Sequence, residues 1–112
     1  MNFQEFQKLA IRTAKPLPFR ENLRHVTYGV TGEAGEFADA VKKFDIYGQD
    51  LNKDNAKEEL GDLLWYIALG AETLGTDMEE LAAYCIEKLK KRYPDQYSDQ
   101  LAEARLDKAS QQ

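Results

Sequence analysis

Between Leu23 and Phe44, apolar side chains recur at Leu23, Val26, Val30, Ala34, Phe37, Val41 and Phe44. That spacing of three to four residues places all of them on one face of a helix. A strand would scatter the same residues over both faces, so this stripe constrains the fold more than any bulk property does. The spacing returns in three other places. Phe3, Phe6, Ala10 and Thr13 predict a first helix over about 3–14, stopped by Pro16 and Pro18. Ala56, Leu60, Leu63, Ile67, Ala71 and Leu74 predict a third helix over about 55–74, ended by Gly75. Met78, Leu81, Ala82, Cys85 and Leu89 predict a fourth over about 77–92, opened by the capping box Thr76-Asp77-Met78-Glu79 and closed by Pro94. Alternation of period two and hairpin dipeptides are missing. The expectation is an all-α, four-helix-type bundle forming one domain over 1–112, with about 95–112 as a short helix or weakly structured arm.

The third stretch is apolar nearly all round, because Trp65 and Leu69 project opposite its main stripe. A helix of that kind is buried on more than one side. In a small chain the second cover is expected to come from another copy, which predicts a homo-oligomer.

At 112 residues, the chain has room for one modest core and not for two. A net charge of -5 argues against a surface that tracks long DNA or RNA, while leaving small anions carried with a metal as possible ligands. The single cysteine, Cys85, excludes an internal disulfide and fits a reducing compartment. The opening MNFQEFQKLAI mixes charge with apolar residues at helical spacing, unlike a targeting segment, and no apolar run has the length of a membrane span. A cytoplasmic location is the expectation.

Two acid pairs interrupt the helical pattern. GEAGE carries Glu33 and Glu36, and ELGD carries Glu59 and Asp62, each pair beside glycine at the edge of an apolar stripe. Acids three apart on a helix ordinarily form a solvated face, with a mutual penalty of only about a few tenths of a kcal/mol. A glycine costs a helix about 1 kcal/mol relative to alanine, which a close approach of two backbones would offset. If the four carboxylates met between packed helices, each pair at ~5–6 Å would repel by about 3 kcal/mol at an effective dielectric near 20. Such a cluster needs protons or a divalent cation, and oxygen-only ligation favours magnesium or manganese over zinc. A di-iron bundle would need Glu-x-x-His on two helices, and His25 is not so placed. On spacing alone, the solvated face and the metal site both stand.

GEAGEFADAVKK followed by KEELGDLLWYIA resembles the paired acid motifs of the MazG-like, all-α nucleoside triphosphate pyrophosphohydrolases. LGTDMEELAAYCIEKLKKRYP is similar to that family's fourth helix, so the likeness runs from about Phe3 to Tyr97. The resemblance implies hydrolysis of nucleoside triphosphates between the α- and β-phosphates, giving a monophosphate and pyrophosphate. It implies magnesium, with manganese as a substitute, held by Glu33, Glu36, Glu59 and Asp62. Glu33 is the choice for orienting or deprotonating the attacking water. Dimers or tetramers are implied as well. The rival is a non-catalytic or weakly catalytic helical module that binds a partner or senses a nucleotide.

A triphosphate also needs cations. Lys88 and Arg92 are four apart and border the apolar stripe, which nominates them for phosphate; their other reading is charge complementing a helix C-terminus. Lys43, two turns beyond Glu36, could also reach phosphate or remain solvated. Trp65 is a candidate for stacking on a nucleobase, and core or interface packing is its competing role. Cys85 stands where family members often carry asparagine, which places substrate preference and full activity in question.

Overall fold

Short polar side chains start three helices of this chain. The Asn2 side chain accepts from the Glu5 amide, Asn52 from that of Asn55, and Ser98 from that of Leu101, each satisfying a donor that the first helical turn leaves open. The computed structural model describes residues 1–109 and, among them, holds six helices and no strand. They are α1 (Phe3–Ile11), α2 (Phe19–Asp45), α3 (Lys53–Thr73), α4 (Met78–Arg92), α5 (Asp99–Ala104) and α6 (Leu106–Ala109). The all-α expectation holds among the described residues. The last three positions of the expected arm, 110–112, lie outside them.

Two boundaries differ from the periodicity. α2 begins at Phe19, a turn before the apolar stripe, directly after Pro18, whose φ -58 and extended ψ 158 suit the residue that precedes a helix. α1 ends at Ile11, and the amides of Thr13 and Ala14 reach back only three residues, to Ala10 and Ile11. The helix thus tightens before Pro16, whose ring disfavours helical backbone at Lys15.

The chain forms two compact units, one over residues 1–78 and one from Glu79 onward. In the first, α2 and α3 pack against each other and α1 packs on α3. Gly29 meets Tyr66, and Val26 meets Gly70, so α2 and α3 run antiparallel. The Trp65 indole donates to the Ala10 carbonyl at 3.2 Å and to the Thr13 hydroxyl at 2.8 Å, fastening α1 to α3. The chain's own first helix therefore covers the Trp65 side of α3, a cover the sequence reading had assigned to a second copy.

One buried amide ties three segments together. Gln7 Nε2 donates to Glu72 at 3.1 Å and to the Thr76 carbonyl at 3.2 Å, while its Oε1 accepts from the Met78 amide at 2.9 Å. The buried apolar residues Ala10, Ala68, Leu69, Ala71 and Met78 lie on the same three elements. α2, by contrast, has no buried residue in its length of 27. Leu23, Val26, Val30 and Phe37 of its stripe are half-buried, but Val41 and Phe44 are 37% and 49% exposed.

In the second unit, α6 returns to α4 through an ion pair. Arg92 grips Asp107 with two hydrogen bonds, Nε to Oδ1 at 3.1 Å and the second nitrogen to Oδ2 at 3.2 Å. Among the described residues, no helix is long and apolar enough to cross a membrane.

Candidate functional site

The antiparallel register of α2 and α3 decides which acids meet. Glu33 lies one turn beyond Gly29 on α2, and Asp62 lies one turn before Tyr66 on α3. The contact of Gly29 with Tyr66 therefore brings Glu33 level with Asp62 and Glu36 level with Glu59. One oxygen from each of Glu33, Glu59 and Asp62 lies within 4.8 Å of the others. Glu36 reaches the same group through Glu59.

The electrostatics of this cluster are strained. Glu33 Oε2 and Glu59 Oε2 are both shut off from solvent, and no donor from outside the acid cluster reaches either of them. Four carboxylates offer acceptors only, so a shared proton or a cation is what such oxygens lack. The Glu59 carboxyl is pushed up to about 7, first by hydrogen bonding with Glu36, then with Glu33, then by burial and by the charge of both neighbours. The donor set is all oxygen, and Glu33, Glu59 and Asp62 could together hold a divalent ion.

Beside the acids lies an open recess of about 350 Å³, lined by Glu33, Asp62, Trp65 and Tyr66. Its aromatic wall is fixed from behind. Trp65 and Tyr66 meet edge to face at 4.9 Å, and the His25 ring lies 5.4 Å from Tyr66. Tyr66 also lies over Gly29, where a Cβ would sit 2.1 Å from its ring. The sequence gives His25 no role in the site. The signal that Tyr66 faces the site was its place one turn from Asp62, opposite a glycine.

The glycines beside the acids do not act as the sequence reading supposed. Gly32, Gly35 and Gly61 have nothing within 4 Å of a Cβ position, whereas close approach occurs at Gly29 and Gly70. The carboxylates converge because of the crossing one to two turns away, not because of the residues adjoining them.

The basic candidates fall into two groups. Lys43 pairs with Asp39 at 3.2 Å and lines a separate recess with Ala40, Gln49, Asp50, Asn52 and Asn55. It is not among the residues lining the recess beside the acids. Lys88 and Arg92 share a recess of about 350 Å³ on α4 with Tyr84, Cys85 and Leu89. Arg92 is engaged there by Asp107.

A family model described as the MazG nucleotide pyrophosphohydrolase domain matches residues 21–97, a span that includes all four acids. The chain is also similar to the Gene 37 protein of Mycobacterium phage L5, 38% identical over 77 residues, which is 64% of this chain and 67% of the phage protein. No solved structure matches. A match over that span, on an all-helical chain whose paired acid motifs converge, makes this protein a member of the MazG nucleotide pyrophosphohydrolase domain family.

Proposed function

We propose that this chain hydrolyses nucleoside triphosphates between the α- and β-phosphates, releasing a nucleoside monophosphate and pyrophosphate, and that it depends on magnesium. The observation that carries the reading is the pair of solvent-excluded oxygens of Glu33 and Glu59 beside Asp62, which no donor from outside the acid cluster reaches. Glu33, Glu36, Glu59 and Asp62 hold the cation, and manganese substitutes for magnesium because both accept oxygen ligands. The bound cation supplies charge neutralisation for the phosphate oxygens and acidifies the attacking water. Glu33 borders both the acid cluster and the recess, so it orients that water and takes its proton. Trp65 and Tyr66 form the wall against which the base lies. Lys88 and Arg92 are the proposed phosphate contacts, and Lys43 would join them only by leaving Asp39.

The protein works as a cytoplasmic homo-oligomer in this reading. Leu60 at 46% exposure and Leu64 at 39%, with Val41 and Phe44, leave an apolar surface on α2 and α3 that suits a second copy.

One pair of observations favours a weakly catalytic, nucleotide-sensing module instead. Cys85 is an exposed free thiol where the resemblance leads one to expect asparagine, and Arg92 is committed to Asp107. Incubation with each nucleoside triphosphate and magnesium separates the two. Monophosphate with pyrophosphate, abolished in Glu36→Gln, supports hydrolysis at the α–β bond. Orthophosphate with a diphosphate overturns the choice of bond. Binding without turnover of any nucleotide selects the sensing module.

A further inference from the structure

The Asp107 side chain is fully buried, and Arg92 holds both of its oxygens in the two-pronged geometry with which arginine grips phosphate. Arg105 adds a third contact, Nε to Oδ1 at 3.5 Å. The backbone is shaped to make this possible. Arg105 is the one non-glycine residue with positive φ among the described residues, at 50°, and this left-handed turn after α5 directs α6 so that Asp107 meets Arg92. Next to the pair, the recess lined by Tyr84, Cys85, Lys88, Leu89 and Arg92 stays open. Arg92 also lies 5.8 Å from the centre of the Tyr93 ring, a contact independent of Asp107 that keeps the guanidinium placed when the carboxylate leaves.

From this arrangement we infer that Asp107 is an internal stand-in for an anionic ligand: the segment from Asp99 to Ala109 latches onto α4 by occupying Arg92, and a phosphate-bearing ligand must displace it to use Arg92 with Lys88. The latch sets a threshold. Ligand binds only the fraction of molecules whose Arg92 is open, so its apparent affinity is lowered by that fraction. A multiply charged phosphate outcompetes one carboxylate because it engages Lys88 and Arg92 together. That the released Arg92 then serves turnover rests on the proposed function; the latch itself does not.

The test uses the full chain in EDTA, with inorganic pyrophosphate as the probe, so that neither metal nor triphosphate takes part. Hydrogen exchange is followed separately in α4 and in residues 99–109. Pyrophosphate is expected to raise exchange across 99–109 while α4 stays protected. Asp107→Asn is expected to show the raised exchange without ligand and to bind pyrophosphate about five-fold more tightly, as removal of a latch closed in about four molecules of five requires. Unchanged affinity in the variant makes Asp107 a structural clasp only and overturns the inference. Weaker affinity overturns it too, because Asp107 would then be positioning Arg92 for the ligand. If the variant disturbs α4, the wild-type exchange decides: bound pyrophosphate with 99–109 still protected ends the inference. Release of the segment without nucleotide turnover leaves the latch standing and removes the enzyme reading; turnover without release does the reverse.

Discussion

Tyr66 lies across Gly29 so closely that a Cβ on that glycine would sit 2.1 Å from the tyrosine ring. This contact sets the register of α2 on α3, and the register brings the acids together. Gly29→Ala is therefore expected to lower stability by about 1–3 kcal/mol, the usual cost of overpacking, and to displace Tyr66. Urea denaturation measures the first effect and tyrosine-ring NMR shifts the second. A variant as stable as the parent refutes the close approach.

The glycines with open space around them should behave oppositely. Gly32→Ala, Gly35→Ala and Gly61→Ala are each expected to stabilise the chain by about 0.5–1 kcal/mol, because alanine restricts the unfolded chain and favours the helix. Denaturation midpoints of the three variants check this. A loss at any of them would place another backbone against that face.

Glu59 gives the metal-free protein a distinctive pH dependence. Its folded-state value of about 7 stands above the ordinary 4.5, so the folded chain binds the extra proton between those limits. The associated stability is fully present below 4.5 and is lost as pH rises through 7. Asp107 acts in the other direction: Arg92 first, and Arg105 after it, hold its carboxyl below the usual 3.8 despite burial. Its contribution is present above 3.8 and disappears as pH falls further. Melting temperatures in EDTA should therefore decline from pH 5 to pH 8. Glu59→Gln should flatten that decline.

Removing a carboxylate from the cluster should separate stability from ligation. Glu59→Gln is expected to raise the stability of the metal-free chain, by relieving repulsion, and to weaken manganese binding at least about tenfold. Calorimetric titration with manganese and thermal melts in EDTA read the two effects. Unchanged manganese affinity would remove the acids from the metal site.

Trp65 reports on α1 because it is the only tryptophan in the chain. Thr13→Ala removes one acceptor of its indole N–H, at an expected cost of about 1 kcal/mol. Red-shifted emission would accompany the loss as α1 loosens, and an unshifted spectrum would count against that fastening. Quenching of the same emission by nucleotide tests the aromatic wall beside the acids.

Helices and acids were legible in the sequence for the same reason: both are periodic. The stripe from Leu23 to Phe44 and the two acid pairs needed only 3.6 residues per turn to be read. Contacts between distant segments carry no such period. Nothing in Gly29 or Gly70 distinguishes them by sequence from Gly32, Gly35 or Gly61, yet the first two lie at the crossing and the others face open space. Trp65 stands out as a second apolar side of its helix, but its partners, Ala10 in α1 and Thr13 just beyond it, lie 55 and 52 residues away. Asp107 was hidden within a tail of weak helical character, because its role depends on a left-handed turn at Arg105 that no motif announces.

The Gln7 amide has a consequence for how the chain is made. Its three partners lie 65, 69 and 71 positions later in sequence, and Trp65 also follows α1 by more than fifty residues. During synthesis the first helix emerges long before its partners, and the Gln7 contacts can be complete only after Met78 has cleared the exit tunnel. α2 and α3 hold all four acids between residues 33 and 62, so the acid-bearing hairpin can close before the last anchor of the helix that precedes it has been made.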